Sequence, residues 1–202
     1  MRAMSLMRFV VFGAVGFGLG GTIVGALWPL AYLSFEAAGL LFLLSGAVGG
    51  ASLGLALGDR GRTINLALLG ILGFAVGGLV ALAVAVGVVP AFGSVSASED
   101  YGTRGAMGVL GGAVVGASLS LAFLDWRRTL ALTLAGAVGF GIGLIVGVFV
   151  LQGIFGVRFM VGIWGTVIIC ALTGTIGGAS LGAALGYFEE RKLAEGQRSR
   201  VR

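Results

Sequence analysis

Six stretches of the chain, 9–33, 37–58, 64–90, 105–124, 129–155 and 160–188, contain no Asp, Glu, Lys or Arg. Each runs to about 20 residues or more, the length a helix needs to cross the hydrocarbon layer. No other feature limits the fold as much. In water the six would have to be buried together or stand as helix-length apolar patches that aggregate. The chain has too few charges to cover such a surface: 10% of its residues, against about 25% in soluble domains. Lipid is the medium this sequence fits, and mean hydropathy is +1.10. In lipid the backbone must satisfy its own hydrogen bonds, which at this length means helices. A barrel would show short segments of alternating apolar and polar residues, and these stretches do not alternate.

The cations set an orientation. Arg2 and Arg8 precede the first stretch, Arg60 and Arg62 follow the second, and Arg127 and Arg128 follow the fourth. Arg191, Lys192, Arg198, Arg200 and Arg202 follow the sixth. All fall on one side of a six-pass chain, while the other side holds Arg104 and Arg158 with Glu36, Glu99 and Asp100. Positive charge stays cytoplasmic, so a multi-pass protein of the cell membrane is expected, with both termini inside. Trp28, Tyr32, Tyr101 and Trp164 fall near the outer boundary, and Trp126 and Tyr187 near the inner one. The first stretch exceeds the 7–15 residues of a leader's apolar region. Its motif also recurs downstream, so it is read as a helix of the bundle.

That recurrence divides the chain into thirds. Odd-numbered stretches carry Gly-Ala-Val-Gly-Phe-Gly-Leu-Gly at 13–20, Gly-Ile-Leu-Gly-Phe-Ala-Val-Gly at 70–77 and Gly-Ala-Val-Gly-Phe-Gly-Ile-Gly at 136–143. Even-numbered ones carry Gly-Ala-Val-Gly-Gly-Ala-Ser-Leu-Gly at 46–54, with related motifs at 112–120 and 174–182. Phe17, Phe74 and Phe140 stay in register, as do Ser52, Ser118 and Ser180. The reading is an all-α membrane protein of three parallel two-helix repeats, 1–63, 64–128 and 129–188, followed by a basic cytoplasmic tail, 189–202. Two crossings per copy place the repeat axis along the membrane normal, which predicts a pseudo-threefold bundle.

Small residues recur every fourth position on the even helices: Gly46, Gly50 and Gly54, then Gly112 and Gly116, then Gly174, Gly178 and Gly182. At about 100° per residue they share one stripe, the signature of close helix packing in lipid, as in a glycine zipper. Ser52, Ser118 and Ser180 are read first as small residues bonded back to their own helices or to a neighbouring helix. A polar ring around the axis is the second reading. Neither Lys-Ser/Thr nor a strand–turn–helix context accompanies the glycines, so they are not phosphate loops.

Chemistry-bearing residues are sparse. The chain has no histidine and one cysteine, Cys170, within an apolar run, so neither a metal, a cofactor nor catalysis is expected. The glycine content resembles that of rotor-ring subunits of rotary ATPases, without their mid-membrane carboxylate. Three two-helix repeats resemble mitochondrial carriers in outline, without their proline-kinked, charge-paired motifs. Glu99 and Asp100 are read into a Ser-rich outer loop, 93–103, and Asp59 and Asp125 into exposed pairs with the arginines beside them. The tail, with three acids and five bases, suits anionic headgroups at the inner face. A homo-oligomeric or membrane-complex partner is expected, and nucleic acid is not. The function that follows is a non-enzymatic accessory, assembly or anchoring subunit; the alternative is a small channel or facilitator with a path along the axis.

Overall fold

A computed structural model describes residues 2–31, 35–91, 97–155 and 163–200. Among these the chain is helical apart from short turns: α1 Arg2–Ala31, α2 Phe35–Leu57, α3 Arg60–Ala91, α4 Ala97–Ser120, α5 Trp126–Phe155 and α6 Ile163–Arg200. Glycine in a helix interior is about 1 kcal/mol worse than alanine. An unbonded peptide group in lipid costs several times that, so the glycine-rich stretches remain helical.

Five of the six helices are long and apolar enough to cross a membrane, over Leu6–Leu27, Gly39–Leu57, Arg60–Ala81, Trp126–Leu151 and Ile163–Gln197. The apolar part of α4, Gly105–Ser120, is shorter. The fourth stretch was expected to reach residue 124, but α4 ends at Ser120 and 121–124 turn through Leu121 N–H to Ser118 O (3.1 Å) and Phe123 N–H to Ser120 O (2.9 Å). At its other end α4 takes in Glu99, Asp100 and Tyr101, which were read as loop. Their polarity hid the helix from a search for apolar runs. Residues 92–96 of that loop, Tyr32 and Arg158 lie outside the described residues.

Two turns are resolved in detail, and both sit at the end of the bundle where α1 begins and α6 leaves, called here the charged end. Gly58, at φ +72°, closes α2. Asp59 then caps α3, its Oδ1 accepting from Gly61 N–H (2.8 Å) while Thr63 N–H bonds Asp59 O (2.9 Å). The second turn has the same plan. Leu124 takes φ +49°, Asp125 Oδ1 accepts from Arg127 N–H (3.0 Å), and Thr129 N–H bonds Asp125 O (2.9 Å). The divisions at 63/64, 128/129 and 188/189 therefore fall inside α3, α5 and α6. What was read as a tail from 189 continues α6 as helix to Arg200.

The helices form a closed ring in chain order. Each packs on its neighbours in sequence, and α6 closes the ring against α1, the most extensive packing of the six. Large apolar side chains at four-residue spacing face outward: Val11, Val15, Leu19 and Ile23 on α1, Leu68, Leu72 and Val76 on α3, and Leu130, Leu134, Val138 and Ile142 on α5. That outward stripe belongs to a protein whose solvent is lipid. Trp126, Trp164 and Tyr187 are exposed.

Candidate functional site

The centre of the ring is a place where odd-numbered helices from all three thirds of the chain meet. It holds three phenylalanines. Phe17 of α1, Phe74 of α3 and Phe140 of α5 lie 5.8, 5.8 and 6.0 Å apart between ring centroids. Phe17 and Phe74 stack at 21°, and Phe140 stands edge-on to both at 83° and 75°. Phe17 is fully buried. Such pairs contribute about 0.5–1.5 kcal/mol each beyond burial.

Toward the charged end the packing continues. Leu53, Leu119 and Leu181 follow the three serines in sequence and are all buried. With Phe9, Leu66, Leu132 and Leu185 they join the phenylalanines in one cluster.

Glycines let the rings lie there. A Cβ on Gly49 would fall on the Phe17 ring, and one on Gly177 would fall within 2.6 Å of the Phe140 ring. The even-helix glycines face backbone. A Cβ on Gly46 would meet the Gly70 carbonyl, one on Gly50 that of Leu66, and one on Gly54 the Thr63 backbone. Gly112 meets the Gly136 carbonyl and Gly116 that of Leu132. On α6, Gly174, Gly178 and Gly182 meet the carbonyls of Phe17, Gly13 and Phe9. At each of these eight positions a side chain would have to displace main chain.

The three serines occupy three separate seams. Ser52 lies against Gly16 of α1 and donates to Gly49 O (2.7 Å). Ser118, buried, lies against Gly73 of α3. Ser180 lies against Gly139 of α5 and shares its proton between Gly177 O and Ala135 O, both at 2.7 Å. Ser120, also buried, donates to Ala117 O (2.5 Å). Local carbonyls thus take the hydroxyls of Ser52, Ser120 and Ser180. Thr173 Oγ1 on α6 is buried without a hydrogen-bond partner. Among the described residues no three His, Cys, Asp or Glu side chains group as metal ligands.

A second cluster at the charged end was not anticipated. Arg128, read from sequence as a surface cation, has a side chain only 3% exposed. Its Nη1 donates to Glu189 Oε1 of α6 at 2.9 Å, and its Nε lies 3.6 Å from Asp125 Oδ2. The guanidinium sits over the rings of Phe123 (5.0 Å) and Phe188 (5.4 Å). The exposed pair expected for Asp125 is therefore corrected: its arginine is buried because two aromatic faces and a distant glutamate enclose it. Asp59 does form an exposed pair, with Arg62 at 3.5 Å. Arg8 donates to Leu55 O (3.1 Å) across α1 and α2.

Compared with known proteins, the chain matches no family model, none of the curated proteins and no solved structure.

Proposed function

We propose that this chain is a non-enzymatic membrane subunit, an anchoring or assembly scaffold of six crossings built from three parallel two-helix repeats around a pseudo-threefold axis. Five helices already have the length and hydropathy of spans. α4 is proposed as the sixth: it packs between α3 and α5 and must return the chain from one to the other. The glycines that face neighbouring backbone support zipper packing between repeats, because association in lipid depends on close approach more than on apolar area. The charged end, with Arg8, the two Asp-led turns and the continuation of α6, is proposed as the cytoplasmic face in contact with anionic headgroups.

The observation that carries the scaffold reading is the phenylalanine triad. Three large rings in mutual contact occupy the place where a path along the axis would run. The serine hydroxyls that would line such a path lie in separate helix seams, two of them bonded to local carbonyls. Protein reconstituted in liposomes should therefore pass water, glycerol, potassium and protons no faster than empty vesicles. Flux above that baseline for any of the four would favour the facilitator. Reporter fusions at the two termini should both report the cytoplasmic side; a terminus outside would overturn the orientation.

A further inference from the structure

Two of the three seams between successive hairpins are tied at the charged end by the chain itself. Only Gly58 and Asp59 separate α2 from α3, and only residues 121–125 separate α4 from α5. The seam between α6 and α1 has no such tie. Two consecutive glutamates stand in its place. About 100° apart on α6, they reach opposite neighbours. Glu190 Oε1 accepts from the backbone N–H of Leu6 on α1 at 3.1 Å, near the helix N-terminus where a carboxylate is favoured. Glu189 Oε1 accepts from Arg128 on α5 at 2.9 Å.

The Arg128 half is built for retention: a guanidinium between two aromatic faces, almost wholly out of solvent, with a second carboxylate beside it. The corresponding arginine of the first turn, Arg62, pairs among the described residues with Asp59 at 3.5 Å, and its side chain is 48% exposed. Enclosure thus occurs at the turn that α6 reaches with Phe188 and Glu189, and not at the turn of Asp59 and Arg62.

We propose that Glu189, Glu190 and Arg128 form a clasp that closes the helix ring, and that the α6·α1 seam is where the ring opens when the clasp is released. Beyond the clasp α6 runs on to Arg200 with 191–193 and 195–197 exposed, so a helical handle is attached directly to it. The proposal rests on this geometry and stands or falls separately from the scaffold reading.

Spin labels test it. In a Cys170→Ala background, one pair goes on Met7 and Tyr187, both exposed near the charged end of the closing seam, and a control pair on Leu55 and Ile64 across the tethered α2·α3 seam. The parent should give one narrow distance distribution for each pair in nanodiscs. Glu189→Ala with Glu190→Ala, which removes both acceptors, should add a longer component for Met7–Tyr187, displaced by about 5 Å or more, half an interhelical spacing. The control pair should not change. Glu190→Ala alone, which removes the clasp contact that crosses to α1, should give a smaller longer component and serves if the double variant does not fold. An unchanged Met7–Tyr187 distribution in a folded variant overturns the clasp. Equal broadening of both pairs also overturns it, since the loss is then general and not confined to this seam.

Discussion

The two tethered seams and the closing seam use the same kind of residue in different registers. Gly46 faces Gly70 and Gly50 faces Leu66 in the first; Gly112 faces Gly136 and Gly116 faces Leu132 in the second. In the motifs Gly174 corresponds to Gly46 and Gly112, and Gly13 to Gly70 and Gly136. Yet Gly174 faces Phe17, and Gly13 faces Gly178. The closing seam is displaced by four residues, one helical turn or about 6 Å. Seams within each hairpin show no such change: Gly16 with Ser52, Gly73 with Ser118 and Gly139 with Ser180 occupy matching places.

A closed ring must return to its starting height. If the three hairpins are the same body, a 6 Å difference shared over three steps means each stands about 2 Å along the axis from the one before. The last step then drops back about 4 Å. On that condition the ring is a split washer. Two glycines make the displaced seam passable. A Cβ on Gly21 would meet the Cys170 carbonyl and one on Gly25 the Val167 backbone, whereas α5 has Leu144 and Val148 in the corresponding places. Local motif likeness sets pairing inside a hairpin, and closure sets the pairing between first and last.

Placing the same side chain in each seam separates the two kinds most strongly. Gly178→Leu and Gly50→Leu both drive a side chain into backbone, at or beyond the upper end of the about 1–3 kcal/mol typical of overpacking. The tethered seam keeps its helices adjacent through the turn, while the closing seam depends on its packing and its clasp, and Gly178 lies in that packing. Gly178→Leu should therefore lose the monodisperse species on size exclusion, and Gly50→Leu should retain a destabilised one. Equal loss in both would remove the distinction between tethered and untethered seams.

Next in size are the central rings. Phe17→Ala should lower stability by about 3–5 kcal/mol, measured by titration from mild detergent into SDS. Phe74→Ala should lose less, because Phe74 is only partly buried against the cluster while Phe17 is fully enclosed. Losses of equal size would mean that the centre is more symmetric than the stacked and edge-on ring geometry.

Much of the architecture is readable before any coordinates. Charge-free runs mark the helices, and Asp59 and Asp125 mark the turns. Other features depend on residues far apart. Asp125-Trp126-Arg127-Arg128 reads like Asp59-Arg60-Gly61-Arg62, and only the arrival of Phe188 and Glu189, about sixty residues later, separates a buried arginine from an exposed one. Phe17, Phe74 and Phe140 are visible as markers of register, but their convergence requires the ring to close. Gly21 and Gly25 are two glycines among 40 until α6 is laid beside them.

The two arginines show the same contrast at smaller scale. Arg128→Met leaves Glu189 without its guanidinium. Losing one partner of a fully buried pair costs about 3–5 kcal/mol, but Glu189 is 21% exposed, and water reduces the expected loss to about 2 kcal/mol. Arg62→Met removes an exposed pair worth about 0–1 kcal/mol, and its unfolding midpoint should barely move. A large loss at Arg62 would mean that the first turn is also clasped.

The smallest expected effect separates the two turns themselves. Gly58 and Leu124 hold the same place and both take positive φ, +72° and +49°, where a side chain costs about 1–2 kcal/mol. Leu124 is 91% exposed, so almost no packing offsets that strain. Leu124→Gly should stabilise the protein by about 1 kcal/mol, less what glycine's added freedom in the unfolded chain takes back. Leu124→Ala is the control: alanine keeps the Cβ, so if strain is the cause it should give no gain. Gly58→Leu should lose a similar amount, and the exchange Gly58→Leu with Leu124→Gly should come close to the parent. A gain with alanine as large as with glycine would place the effect in the exposed leucine side chain, and the two turns would then differ in surface and not in backbone.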